Sequence, residues 1–129
     1  MNLGLSCDRP GTAAFAKPED VGHRLENLVY LELRRRGVIE VGYLATPNGY
    51  EVNFCGRGSD GVLQLVQVCT SLSDAGTRSR ELRALADVMA GEGLRNATMV
   101  TLHEEEVVRV GAGEVRVVPA WRWLLEGGT

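Results

Sequence analysis

The chain has 129 residues and a formal net charge of −3, which is room for one domain with its own core. Hydrophobic residues make up 44% and charged residues 24%, as in an ordinary soluble domain, and the acidic balance does not favour a dedicated nucleic-acid binder. The sequence lacks an apolar run of the roughly 20 residues that cross a bilayer and a basic, apolar leader. We therefore expect a cytoplasmic protein with no membrane partner.

The three cysteines, Cys7, Cys55 and Cys69, are odd in number and far apart. Their spacing fits neither a zinc site nor a disulfide framework. We expect free, buried thiols.

The N-terminal part of the chain predicts a lead-in followed by a helix. Residues 1–18 carry two prolines and little periodicity, which predicts an irregular segment before a single domain at 19–129. The stretch EDVGHRLENLVYLELRRRG has apolar residues at helical spacing, and Gly37 can cap its end. Glu26 and Glu32 fall inside the apolar arc of this helix, where carboxylates seldom lie without a partner or a task.

Three short strands are predicted next. VIEVGYLA and YEVNFCGR flank a turn at TPNG, and VLQLVQVCT follows a tight connection at GSDG. On the second strand, Glu51 and Asn53 would share one face, and Val52 and Phe54 the other. The run predicts a meander.

The second half of the chain predicts a helix at 73–94, an apolar strand at 96–102, a hairpin at 106–118 and a short helix at 119–126. The predicted fold is α/β, with an αβββαβ core, a mixed sheet flanked by helices, and a C-terminal β-hairpin and short helix.

Three other motifs predict ordinary surface. The glycines of GRGSDG lie between strands and lack the Walker lysine, so they do not predict ATP binding. The Glu104–Glu106 run predicts a solvated turn, with a cation site as the alternative. Arg78, Arg80 and Arg83 predict a solvated helix face, with a phosphate-contacting edge as the alternative.

One constellation carries chemistry. Glu26 points inward from the first helix, Glu51 and Asn53 lie on the second strand, and Gln67 and Cys69 share a face of the third. This layout resembles the PD-(D/E)XK nucleases, which have a helix acid, an aspartate on one strand and Glu-x-Lys on the next. In those enzymes the carboxylates bind a Mg²⁺ that polarises the phosphate, and the lysine positions or activates the attacking water.

The chain also resembles the domain of unknown function at the C-terminal end of many bacterial and archaeal AAA-type ATPases, whose fold is related to these nucleases. The resemblance rests on GHRLENLVYLELRRRG, NGYEVNF, LVQVCTSLSD, TRSRELRAL and VRVVPAWRWLL, and covers the chain from about Asp8. It implies a restriction-endonuclease-like fold and an AAA-type ATPase, or another protein, as partner. In the family an ATPase module and a winged-helix segment usually come first, so the resemblance implies a fragment, a separate module or a truncated product.

The nuclease pattern, carried over residue by residue, keeps its helix acid at Glu26. The strand aspartate is replaced by Asn53, the glutamate by Gln67 and the lysine by Cys69. Because Mg²⁺ prefers anionic oxygen ligands, neutral amides are poor replacements. We therefore predict a degenerate site without a cofactor, in which Glu26 accepts a hydrogen bond from Asn53 or nearby backbone.

The sequence thus predicts a non-catalytic nuclease-like domain that serves an AAA-type ATPase as a recognition or assembly module, through protein or nucleic acid. Two alternatives stay open. One is a weakly active, metal-dependent DNA nuclease that holds Mg²⁺ between Glu26 and Glu51. The other is a structural or oligomerising domain, with PAWRWLL or the first helix as its contact surface. Trp121 and Trp123 are typical of core and rim residues of a terminal helix rather than of a binding patch.

Overall fold

Six strands form one mixed sheet with helices on both faces. The computed structural model describes residues 18–46, 48–111 and 113–127. Cys7 and the predicted lead-in lie outside this part of the chain, except for the last lead-in residue, which begins the first helix. The elements are α1 (Pro18–Arg35), β1 (Ile39–Ala45), β2 (Glu51–Arg57), β3 (Leu63–Val68), α2 (Ala75–Glu92), β4 (Asn96–Thr101), β5 (Glu106–Val110), β6 (Gly113–Pro119) and α3 (Ala120–Glu126). This order confirms the predicted α/β fold with its αβββαβ core, hairpin and short helix.

The strands lie across the sheet in the order β1-β2-β3-β4-β6-β5. β1, β2 and β3 pair antiparallel, which confirms the meander, and β5 and β6 form the predicted hairpin. β4 pairs parallel with β3 and β6, so it lies in the sheet interior as its apolar sequence predicts. Parallel neighbours need a long crossover, and α2 supplies it between β3 and β4.

Local signals set the ends of the helices. The Asp74 side chain caps α2 by accepting a hydrogen bond from the Thr77 N–H at 2.8 Å, and Gly93 ends the helix with φ +69°. Gly37, two residues beyond the end of α1, has φ +87°, as its predicted cap role requires. Among the described residues, none of the helices has both the length and the apolar character needed to cross a membrane.

The sheet has a buried cluster on each face. The cluster under α2 comprises Val52, Leu65, Leu72, Ala84, Leu85, Val88, Met89, Ala97, Met99, Val115 and Val117. The cluster under α1 and α3 comprises Leu25, Val29, Leu33, Val38, Phe54, Val66, Val68, Val100, Val118 and Trp123. Along β3, β4 and β6, buried apolar residues that are adjacent in sequence lie in opposite clusters, as strand geometry requires. Trp123 is buried and Trp121 is 55% exposed, so the pair divides between core and rim, and the structure shows which residue takes each position.

The prediction that Val52 and Phe54 share a face of β2 is wrong. Val52 lies in the cluster under α2, whereas Phe54 lies in the cluster under α1. Between the pairs Gly42–Cys55 and Leu44–Val52, β1 advances by two residues while β2 advances by three. Such an extra residue is a β-bulge, which turns the strand and changes the faces of the residues around it.

The second inward acid of α1, Glu32, fastens α1 to α3. Its carboxylate accepts hydrogen bonds from Arg35 at 2.6 and 2.9 Å and from Arg36 at 2.8 Å. Arg36 also donates to the main-chain oxygen of Trp123, and its guanidinium lies 4.1 Å from the centre of that ring. Arg35 donates to the main-chain oxygen of Gly127 at 2.5 Å. The acid therefore has partners of its own on α1 and belongs to a helix junction.

Candidate functional site

A cleft of about 280 Å³ opens beside the N-terminal end of β2. Its charged and amide-bearing wall residues are Glu26 of α1, Glu51 and Asn53 of β2, Gln67 of β3, and Arg80 and Glu81 of α2. Since α1 and α2 cover opposite faces of the sheet, the cleft is lined from both faces. Four of the five site residues predicted from the sequence thus meet in one place. The fifth, Cys69, is not in the wall.

The cleft exists because β2 and β3 separate at this point. Their antiparallel pairing ends at Phe54 and Val66. In an unbroken ladder the next pair would be Asn53 with Gln67. Instead, this end of β2 pairs only with β1, while Gln67 pairs with Met99 of β4. β2 and β3 therefore form a fork. Asn53 and Gln67, the two predicted amide positions, lie where the strands separate.

The amide side chains bridge the fork. The main-chain N–H of Asn53 donates to Oε1 of Gln67 at 2.7 Å, and the N–H of Val68 donates to Oδ1 of Asn53 at 2.8 Å. Nε2 of Gln67 donates to the main-chain oxygen of Glu51 at 3.1 Å and to Oε1 of Glu81 at 2.6 Å. Gln67 is only 3% exposed. Each amide therefore takes the place of ladder hydrogen bonds that the separated backbones cannot make.

Glu26 of α1 and Glu51 of β2 each place a carboxylate in the wall of the cleft. Glu26 is half-buried, and within the described part of the chain neither Asn53 nor the backbone donates a hydrogen bond to it. That expectation is wrong; the side-chain hydrogen bond of Asn53 is made to β3 instead, where its Oδ1 accepts the Val68 N–H. Glu51 is exposed and accepts a hydrogen bond from Tyr43, which raises the pKa of that phenol above its usual range. The two carboxylates do not converge on a shared donor.

Cys69 is a protonated thiol beside the core. It follows β3 directly, its N–H donates to the main-chain oxygen of Val100 at 3.0 Å, and its Sγ lies 3.1 Å from the main-chain oxygen of Ser71. Burial, and then the Glu81 carboxylate, raise the pKa of this thiol. Cys69 and Cys55 are both free, as the sequence predicts, and are half-buried. A neutral thiol cannot replace the cation of the nuclease lysine.

Glu81 and Arg80 were not among the residues that the sequence singled out for this site. A signal for Glu81 was nevertheless present. Glu81 stands three and four residues before Ala84 and Leu85, which are buried, so it heads the apolar stripe of α2. The same reasoning identified Glu26 on α1. Arg80 has no comparable signal, because it lies on the exposed side of the helix.

The Mg²⁺ that the nuclease resemblance implies does not fit these residues. At the two amide positions the oxygens already accept main-chain N–H groups and carry no charge. Within residues 18–46, 48–111 and 113–127, no three His, Cys, Asp or Glu side chains lie close enough together to hold a metal. Because Mg²⁺ needs anionic oxygens in near-octahedral geometry, the geometry leads to no metal-dependent step.

The chain is similar to one curated protein, the uncharacterized protein MJ1544 of Methanocaldococcus jannaschii. The two are 34% identical over 113 residues, which cover 81% of this chain and 25% of that protein. The chain therefore spans about a quarter of the length of this relative. No family model matches the chain, and no solved structure matches it.

Proposed function

We propose that this domain is a non-catalytic, PD-(D/E)XK nuclease-like module that acts in the cytoplasm as a recognition or assembly part of an AAA-type ATPase system. One observation carries the non-catalytic part of the proposal. At the two strand positions where nuclease chemistry needs carboxylates, Asn53 and Gln67 are amides that bridge β2 and β3.

The other groups of the cleft do not supply the missing chemistry. Glu81 accepts a hydrogen bond from Gln67, and Glu51 accepts one from Tyr43. The guanidinium of Arg80 can stabilise a negative charge but is not a general base. Among the described residues, the three carboxylates of the cleft wall do not come close enough together to hold a metal, and the position of the nuclease lysine is taken by Cys69.

The ATPase part of the proposal rests on the family resemblance and on length. The matched region makes up 25% of MJ1544, so a domain of this kind occurs in that protein together with a much longer stretch of other sequence. A module that works beside larger domains needs no catalytic centre of its own. Its contribution would be contact with a protein or nucleic acid.

Incubation with supercoiled plasmid and millimolar Mg²⁺ or Mn²⁺ tests the absence of catalysis. The expected result is no nicking above that of a metal-free sample, since the ligand set is incomplete. Metal-dependent nicking that disappears in Glu26→Ala but persists in Glu105→Ala would support the weak nuclease instead. Glu105 is the matched control because it is an exposed acid paired with Arg122, away from the cleft.

Co-expression tests the partner. The chain is produced together with each AAA-type ATPase of its own genome, and the products are separated by size-exclusion chromatography. We expect co-elution with one of them. Elution of the chain only as a homo-oligomer would favour the structural alternative, in which α1 or α3 forms a contact between copies.

A further inference from the structure

We infer that Asn53 and Gln67 form a reciprocal amide clamp across the fork of β2 and β3, and that Gln67, unlike Asn53, cannot be replaced by its acid without a large loss of stability. The inference deepens the proposed function. It rests on that function only where it compares these amides with the metal-binding carboxylates of nucleases. The clamp itself is defined by hydrogen bonds.

The fork leaves main-chain groups that need partners. Beyond the Phe54–Val66 pair, β2 and β3 are not paired with each other, and there the N–H of Asn53, the oxygen of Glu51 and the N–H of Val68 bond to side chains. Main-chain groups left without partners away from water are strongly unfavourable. The two amides satisfy all three groups. In a metal-binding version of this fork, acids at these positions would instead be held by the ion.

The two amide side chains make different hydrogen bonds in the clamp. Gln67 accepts one hydrogen bond through Oε1 and donates two through Nε2, to Glu51 and to Glu81. An ionised carboxylate has no donor, so Gln67→Glu loses both donated bonds. It also brings a second negative charge to the 2.6 Å contact with Glu81, inside a site where Gln67 is 3% exposed.

Asn53 is used by the clamp only as an acceptor. Its Oδ1 receives the Val68 N–H at 2.8 Å, and a carboxylate oxygen accepts such a bond at least as well. Asn53 is also half-buried, whereas Gln67 is fully buried. Asn53→Asp therefore keeps the bond that it makes, and its new charge remains near solvent.

Glu81 extends the clamp from the sheet to α2. It accepts the second Nε2 hydrogen of Gln67, in the turn of the helix that precedes Ala84 and Leu85, which are buried. The side chain of Gln67, a residue of β3, thus contacts both β2 and α2. The clamp fixes where the beginning of α2 lies over the fork.

Thermal unfolding of three single variants near neutral pH, without added metal, tests the inference. Gln67→Glu is expected to lower Tm by roughly 10 °C, and Asn53→Asp by less than roughly 3 °C. Gln64→Glu is the matched control, because Gln64 lies on the same strand and is exposed. It should behave like wild type.

A second variant keeps the test decisive if Gln67→Glu does not fold. Adding Glu81→Gln to Gln67→Glu restores a donor and removes one charge, so the double variant should fold, with a Tm less than roughly 5 °C below that of wild type. The inference would be overturned by an equal loss of Tm in Gln67→Glu and Asn53→Asp, or by a double variant that is no more stable than Gln67→Glu. Failure of the proposed function would look different. The wild-type chain would then cleave DNA in the presence of metal, while the order of the Tm values stayed the same.

Discussion

The Glu32 carboxylate stays ionised in a largely buried position because two guanidinium groups surround it. It is 8% exposed, and burial alone would raise its pKa. The hydrogen bond from Arg35 has the largest effect, and together with Arg36 it lowers the pKa to about 2 despite burial. An acid on the apolar stripe of a helix is thus explained by residues of the next turn. Glu26, six residues and nearly two turns earlier, has no such arginine partner among the described residues.

Glu32→Gln is expected to reduce the free energy of unfolding by about 2 kcal/mol near neutral pH, after allowance for the solvent around Arg35. The folded pKa of about 2 lies below the ordinary value of 4.5. The contribution is therefore complete above about pH 4.5 and is lost as the pH falls toward 2. Urea unfolding across this range measures it. An unchanged difference between wild type and variant at low pH would contradict the prediction.

Glu105→Gln serves as the control for Glu32→Gln. Its ion pair with Arg122 at 3.1 Å joins two side chains that are each nearly half exposed. Pairs of this kind contribute little, so we expect a change below about 0.5 kcal/mol.

β1 bends closely over β2 at Gly56. A methyl group on this glycine would lie 2.7 Å from Cγ1 of Val38 and 3.1 Å from the main-chain oxygen of Ile39. Ile39 stands at the start of the first irregularity of the β1–β2 pairing, before Gly42. The bend of β1 and the bulge at the cleft therefore belong to the same distorted strand pair, β1 with β2. The two strands can approach this closely at Gly56 because glycine has no side chain.

Gly56→Ala is expected to lower the free energy of unfolding by about 2 kcal/mol, because the backbone of Ile39 must move to accept the methyl group. Gly91→Ala is its matched control. Gly91 lies in the last turns of α2 with open space around it, so alanine should raise stability by about 0.5 kcal/mol. Chemical denaturation of both variants checks the opposite signs. A neutral Gly56→Ala would show that the two strands can separate at little cost.

The sequence predicted the strands and helices better than the contacts between them. Periodicity located β2 and β3, because their apolar residues alternate. It could not reveal the bulge, since Val52 and Phe54 are both apolar and buried on whichever face they lie. The fork was equally hidden, because it depends on which residue of β2 stands opposite Gln67. The four predicted residues therefore met as expected, while their hydrogen bonds and the part played by Glu81 required three dimensions.

The charges of the whole molecule are largely balanced between neighbouring elements. Arg78 pairs with Glu106 at 2.5 Å across α2 and β5, and Arg116 pairs with Glu126 across β6 and α3. The cleft itself has three carboxylates and one guanidinium in its wall. With a net charge of −3, the molecule has no excess of cations with which to neutralise a phosphate backbone.

We therefore expect no retardation of a DNA duplex of about 30 base pairs by micromolar protein at roughly 100 mM salt. A gel-shift titration over a range of salt concentrations makes the measurement. The contrary result would be a complex whose affinity falls steeply with salt and is reduced by Arg80→Ala, since Arg80 is the guanidinium in the cleft wall. Arg109→Ala is the control, because Arg109 is 84% exposed on β5, away from the cleft. Equal weakening by both variants would indicate diffuse attraction, and weakening by Arg80→Ala alone would show that this cleft receives nucleic acid.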